Sequence, residues 1–401
     1  MRLPRSWGSY LVLTTLSIQQ GTQLSLVAPL LNDWGYSPSW IGALVSAISV
    51  ASLVARMPTG LLYRRQRARR VQGIAIPALA VLLVLHPFAT EPLAFLAVRV
   101  LSGLLYGVAT TVNLARFIDE QPLGAERART MGYYVAGIAV GYSISSLLVG
   151  YVVEAAGYVA AFGAGALLTL AGLLGLLDPT PPAAGAPVTE PERRSRAVLG
   201  MAVAPSLDPR WLLAAPGLAV ALIEGFLLNA QWAFWNAWLP LYTLAVGISL
   251  AETGLLRTAY GIFNAGARLV TGDLVARLGA ARLAFASLVL QSLLLVLLPV
   301  LPRLAPLVAI FVLMGALRAV GIVANTVAVV EQGEALRVGR GPLVGLLNTV
   351  TDLGLLAGPA LGGVVAETVG PVRVFLFWPL AMLACYLAIV ATSRLGAAHS
   401  G

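Results

Sequence analysis

Lysine is absent from the 401 residues of this chain, and all 26 of its basic residues are arginine. A phosphate-cradling loop of the Gly-x-x-x-x-Gly-Lys-Ser/Thr kind is therefore excluded, and with it nucleotide-driven work by this chain alone. Cys385 is the single cysteine, which rules out an internal disulfide and a thiolate metal centre. The two histidines, His86 and His399, leave haem ligation by paired histidines, zinc catalysis and a histidine proton relay without the residues they need. No cofactor and no metal is expected. Charge is scarce too: 11% of residues are charged, against roughly 25% in soluble domains.

What the chain has instead is apolar length. Apolar residues make up 59% and the mean hydropathy is +0.86. Cutting at charge clusters and Gly/Pro breaks leaves segments of about 20 residues, enough to cross about 30 Å of hydrocarbon. They fall near 9–31, 40–63, 71–88, 93–117, 131–153, 159–177, 212–240, 252–275, 283–301, 306–329, 342–366 and 374–393. Twelve membrane-spanning helices in two sets of six predict an all-α integral membrane protein. The one long polar interruption, Asp178 to Pro209, is rich in proline and charge and reads as a flexible linker. The expected units are an N-terminal six-helix bundle (1–177), a cytoplasmic linker (178–211) and a C-terminal six-helix bundle (212–401).

The two bundles repeat each other. Ala55-Arg56-Met57-Pro58-Thr59-Gly60 returns as Ala267-Arg268-Leu269-Val270-Thr271-Gly272, an offset of 212 that also pairs Gly42 with Gly254, Arg65 with Arg277, Gly103 with Gly315 and Asn113 with Asn325. Duplication of a multi-helix membrane unit is how secondary transporters are built, with substrate between the halves near the bilayer midplane.

Arginine placement sets the expected orientation. With the N-terminus inside, 19 arginines lie on the cytoplasmic side, five lie within helices (Arg56, Arg99, Arg257, Arg268, Arg318), and Arg303 and Arg373 face out. Both termini are then cytoplasmic, in a multi-pass protein of a bacterial-type inner (plasma) membrane. The run Arg64 to Arg70 sits in a short loop between two spans, so it reads as topogenic, and nucleic acid is not an expected partner. Met1 to Leu16 has signal-peptide character but no small-residue cleavage site, and reads as part of an uncleaved first span.

Three segments carry a family resemblance. Arg56-x-x-x-Gly60-Leu61-Leu62-Tyr63-Arg64-Arg65 follows helix 2, and Arg268-x-x-x-Gly272-Asp273-Leu274-Val275-Ala276-Arg277-Leu278-Gly279 is its copy. Helix 4 opens with Arg99-Val100-Leu101-Ser102-Gly103, and helix 11 carries Gly354-x-x-x-Gly358-Pro359-x-x-Gly362-Gly363. Together they resemble the signatures of the major facilitator superfamily, over the whole chain. That resemblance implies gating roles for Arg56, Gly60, Arg65, Arg268, Gly272, Arg277, Gly358 and Pro359, and a link to proton coupling for Arg99. The family's loop reads Gly-x-Leu-x-Asp-Arg-x-Gly-Arg-Arg, and its Asp, part of a cytoplasmic latch, is replaced here by Arg64 and Ala276. A substitute latch is an ion pair between Arg56 and Asp352, on helices that are neighbours in the family, with Asp352 also a candidate proton-coupling residue; alternatively each is satisfied within its own half. The glycine-proline pattern resembles the family's antiporter motif but stands on helix 11, whereas the motif belongs on helix 5.

Mid-depth residues on the helices that line the family's cavity are unusually polar. Gln19, Gln20 and Gln23 stand on helix 1, Glu224, Gln231, Trp232 and Trp235 on helix 7, Tyr260 on helix 8 and Arg318 on helix 10. Steps of seven, four and three place Glu224, Gln231, Trp235 and Trp238 on one helical face. Glu224 is the candidate proton carrier, since a lone carboxyl in low dielectric takes up protons readily; pairing with Arg257, Arg318 or a cationic substrate is the alternative. Arg318 suits a carboxylate or phosphate.

The function expected is secondary active transport of a small organic molecule by alternating access, proton-coupled and directed to efflux, in a monomer that works in the lipid bilayer with protons as its coupling ion. Proton-coupled uptake or exchange of a small organic anion is the alternative, and a non-transporting receptor on the same fold is a third reading. The chain is not expected to be an enzyme.

Overall fold

A computed structural model describes residues 6–121, 125–180, 215–336 and 340–399. Apart from its first three residues, the linker expected at 178–211 lies outside them. The helices are α1 (Trp7–Asp33), α2 (Pro38–Leu62), α3 (Arg65–Leu85), α4 (Pro92–Glu120), α5 (Ala125–Leu170), α6 (Pro216–Ala245), α7 (Leu250–Leu278), α8 (Ala280–Leu297), α9 (Leu304–Ala335) and α10 (Arg340–His399). Two are broken: α5 turns at Gly157 (φ 78°) and α10 at Gly370 (φ 84°), left-handed backbone that a glycine adopts without strain. The breaks divide the described helices into twelve rods. A tight 3₁₀ segment, Ala171–Leu177, finishes the sixth.

Local sequence explains the starts. Proline occupies the first turn of α2, α4 and α6, where its missing N–H costs no hydrogen bond. A capping box opens α7, with Ser249 and Glu252 satisfying each other's free backbone N–H. The antiparallel run of rods brings the start of α1 and the end of α10 to one face, the terminal face, and puts the Gly157 and Gly370 turns on the opposite, far face. Eight of the described helical segments are long and apolar enough to span a membrane. Large apolar side chains such as Leu93, Leu167 and Leu269 point outward, as contact with lipid requires.

The halves meet along two seams, α2 against α10 and α5 against α7, and corresponding contacts line both. Serine 39's N–H reaches Glu367 at 2.8 Å on one seam, and the Ala251 N–H reaches Glu154 at 2.8 Å on the other. Gly42 leaves no room for a side chain against Pro359 O and Gly363, and Gly254 none against Ser146 O and Leu147. Ser46 Oγ donates to Leu356 O at 3.0 Å, and Thr258 Oγ1 to Ser143 O at 3.2 Å. The partners on α2 and α7 are 212 apart, but those on α5 and α10 are 213 apart. The constant offset read from the sequence is thereby corrected: a one-residue slip enters before the fifth helix of the repeat. The same slip relates Gly141, packed on Thr14 O and Ile18 N, to Gly354, packed on Phe226 O and Ala230 N.

Candidate functional site

Between the halves lies a cavity of about 370 Å³, lined from α1, α5, α6, α7, α9 and α10. It is rich in guanidinium and ring groups: Arg257, Arg268 and Arg318, with Tyr142, Trp232, Trp235 and Tyr260. Asn229, Asn236, Asn264, Asn325 and Asn348 add amides, and no carboxylate is among its lining residues. A second chamber of about 130 Å³ adjoins it at Tyr142 and Trp232 and is lined by Gln20, Arg56, Tyr106, Asp352 and Pro359.

Arg318 is buried and held by neutral acceptors. Its two terminal nitrogens donate to Leu228 O and to Asn229 Oδ1, both at 2.7 Å, and its guanidinium lies 5.9 Å from the centre of the Trp232 ring. Arg257 reaches across to the other half, donating to Ser25 Oγ at 2.6 Å, Leu24 O at 3.1 Å and Asn236 O, while its Nε has no partner among the described residues. The Tyr260 hydroxyl is also buried without a hydrogen bond there, and its ring packs edge-on against Trp235 at 4.7 Å. Buried cations with only dipoles around them, beside donors left unsatisfied, form a site of positive potential.

The other residues singled out in the sequence are spread around this cavity. Gln20 lines the second chamber, whereas Gln19 is buried with both amide atoms unpartnered among the described residues. Gln23 binds Arg99, which also donates to Leu44 O at 3.0 Å and Val45 O at 2.6 Å; all three acceptors are neutral. Gln231 turns from the cavity to Ser292 Oγ at 2.9 Å, and Trp238 Nε1 to Pro359 O at 3.4 Å. Glu224 lies outside the lining, against Tyr386 and Asn325. Pairing of Glu224 with Arg257 or Arg318 is thus corrected, because both guanidiniums are engaged elsewhere. The cavity face of α6 is Asn229, Trp232, Trp235 and Asn236, about one residue round the helix from the stripe drawn through Glu224 and Gln231.

Near the terminal face, Arg56 Nη1 and Asp352 Oδ1 stand 3.0 Å apart across the halves. Gly60, Gly266 and Gly272 have open space beside them, while Gly358 packs on Ala230 O and Phe234 N. Arg65 donates to Asp119 O at 3.3 Å, and Asp119 accepts the Tyr63 hydroxyl at 2.9 Å. Burial and then the Asp119 carboxylate push the Tyr63 hydroxyl far above its ordinary value, so that bond survives physiological pH. Arg268 lines the cavity and Arg277 stands in the last turn of α7.

Arg116, a buried basic residue not singled out in the sequence, pairs with Glu120 at 2.8 Å beside Gln72; the i, i+4 spacing was the available signal.

Comparison with known proteins bears on the whole of this architecture. No curated protein sequence matches the chain. Among the solved structures that share its fold are a mutant form of the nucleoside transporter NupG, with TM-score 0.77 and 17% identity over 96% of this chain and 99% of that one, and NupG itself, with TM-score 0.74 and 17% identity over 96% and 98%. The family model described as Major Facilitator Superfamily matches residues 10–249 and 220–398. Duplicated half-bundles, a cavity on the seam between them and this match across both halves together establish that the chain belongs to the Major Facilitator Superfamily, whose members are membrane transporters.

Proposed function

We propose that this protein is a secondary transporter of a small organic anion, carried through the central cavity by alternating access. The observation that carries the reading is the charge of that cavity: three arginines and no carboxylate among its lining residues. A lipophilic cation entering it would meet uncompensated positive potential, which favours an anion over a cationic substrate. Arg318 is the primary anion contact, and Trp232, Trp235 and Tyr260 offer ring faces and edges to a planar group. Glu224, buried outside the lining but against Asn325, which does line it, is the proton site. The arginine bias of the loops supports an inner-membrane orientation with the terminal face cytoplasmic.

A neutral nucleoside-like solute is the second reading, favoured by the amide and ring lining and by the fold shared with a nucleoside transporter. Flux of radiolabelled benzoate and of uridine into proteoliposomes distinguishes them. Benzoate flux that is lost in Arg318→Gln supports the anion; uridine flux that persists in that variant, with none for benzoate, overturns it.

A further inference from the structure

Two of the three cavity arginines carry charge that is buried. Arg257 is 6% exposed and Arg318 8%, whereas Arg268 is exposed and its charge is hydrated. Among the described residues neither buried guanidinium forms an ion pair, and the groups that hold them are backbone carbonyls, one amide and one hydroxyl. Cations desolvated against dipoles alone are costly in a membrane interior and mark the path of a charged ligand. One helix spaces the pair. Arg318 donates to Leu228 O and Asn229 Oδ1 on α6, and Arg257 donates to Asn236 O on the same helix. Seven residues separate Asn229 from Asn236, which puts them on one helical face and sets the two charges about 10 Å apart along the cavity. Trp232 stands between them on that face, and Trp235 and Tyr260 complete the lining there. At the Arg257 end two donors have no acceptor among the described residues: the Nε–H of Arg257 and the hydroxyl of Tyr260, one turn apart on α7 and each more than nine-tenths buried.

We infer that the transported anion is a dianion, a planar aromatic dicarboxylate with its carboxylates at opposite ends of one ring: one carboxylate meets Arg318, the other meets Arg257 and the Tyr260 hydroxyl, and the ring lies along Trp232. The inference rests on the anion reading above and narrows its class from one charge to two, making Arg257 a specificity-determining residue. Length fits as well as charge. Charge-assisted contacts of about 2.8 Å at each end take up roughly half of the spacing and leave about 5 Å for the frame between the carboxylates, the span of a single benzene ring. Such a molecule is small enough for the cavity of about 370 Å³. A monoanion such as benzoate engages Arg318 and leaves the second guanidinium uncompensated, so it binds more weakly. A dicarboxylate with adjacent carboxylates cannot reach both cations at once.

The experiment measures equilibrium binding to the purified full chain, near neutral pH, of terephthalate, its monomethyl ester and phthalate. Terephthalate and the ester share ring and length and differ by one charge. Terephthalate should bind about tenfold more tightly than the ester or more, and phthalate, whose carboxylates are adjacent, no more tightly than the ester. Arg257→Gln should bring terephthalate and the ester to within about twofold of each other, while Arg257→Lys, which keeps the charge, should retain most of the preference. Equal affinity for terephthalate and the ester in the native chain overturns the inference and leaves the anion reading standing, because the ester still binds; that comparison needs no variant and decides even where Arg257→Gln fails to fold. A preference that persists in a folded Arg257→Gln also overturns it, by placing the second contact elsewhere. If none of the three carboxylates binds and uridine does, the anion reading itself fails, and the dianion with it.

Discussion

Glu367 Oε2 accepts the backbone N–H of Ser39 at 2.8 Å, so a carboxylate of the C-terminal half sits on the amino end of a helix of the N-terminal half. Glu154 does the same for Ala251 in the reverse direction. An anion at a helix N-terminus gains from unpaired N–H groups and from the aligned peptide dipoles, an effect that is modest and salt-screened in exposed positions. The two contacts tie the halves together at the far face. Glu154→Gln and Glu367→Gln should each raise far-face maleimide labelling of an introduced cysteine by about two- to fivefold at low salt, with a larger rise in the double variant. Labelling that does not change in the double variant removes these carboxylates from the gate.

The Arg56–Asp352 pair is more protected on its acidic side, with side-chain exposures of 42% and 14%. Partial burial makes loss of one partner worse than loss of both, because the remaining charge stays desolvated. Arg56→Gln and Asp352→Asn should therefore each increase terminal-face labelling near Met57, the latter by less, since the exposed arginine can turn to water. The charge-swapped double variant should recover part of the closure. Equal labelling in all four proteins would show that the pair is incidental to gating.

Much of this was legible in the sequence because duplication and hydropathy are properties of chain order alone. The twelve helical segments followed from it, while the neighbouring of Arg56 and Asp352 followed from the family resemblance; helix ends fell within a few residues except at the starts of α3 (Arg65) and α5 (Ala125) and the ends of α9 (Ala335) and α10 (His399), which run further beyond the lipid-length window. The cavity face of α6 did not follow. Polar side chains in a membrane helix can turn to the cavity or to a neighbouring helix, and periodicity cannot distinguish them: Gln231 found Ser292, and Arg99 found Gln23 and two backbone carbonyls. The offset of 213 in α5 and α10 was legible but missed: Gly141 and Gly354, Gly150 and Gly363, Glu154 and Glu367, and Gly157 and Gly370 are identical pairs at that spacing.

Those glycines make a steric prediction. A Cβ on Gly42 would stand 2.5 Å from Pro359 O and 3.1 Å from the Cα of Gly363. Both obstacles are backbone and neither can swing aside. Gly42→Ala should separate the α2–α10 seam at the far face, at a cost on the order of 1–3 kcal/mol to the far-closed state. The alanine at Gly35, where nothing lies within 4 Å but the backbone is left-handed, should cost about 1 kcal/mol of local stability without touching the seam. Far-face labelling that rises for the first variant and not for the second is the expected pattern; a rise in both, or in neither, contradicts the packing argument.

Glu224 tests whether driving force and substrate recognition are separable. Glu224 is 3% exposed, faces Tyr386 and Asn325, and has no basic side chain beside it among the described residues. Asn325 in turn donates to Ala221 O at 2.7 Å and lines the cavity, so the proton site and the substrate space meet at one amide. Ionising an unpaired carboxyl in low dielectric is costly, which favours a bound proton whenever the cavity is closed to water, and release when water reaches it. Glu224→Gln mimics the protonated form permanently. Exchange of benzoate across proteoliposomes with equal pH on both sides should continue within about threefold of the parent, because recognition through Arg318 is intact and no net proton movement is required. Accumulation driven by an imposed pH gradient should disappear, and the parent's response to a protonophore with it. A variant that still accumulates benzoate on a pH gradient would place the coupling group elsewhere. One that loses exchange as well would make Glu224 part of the folded frame of α6 and not a proton carrier.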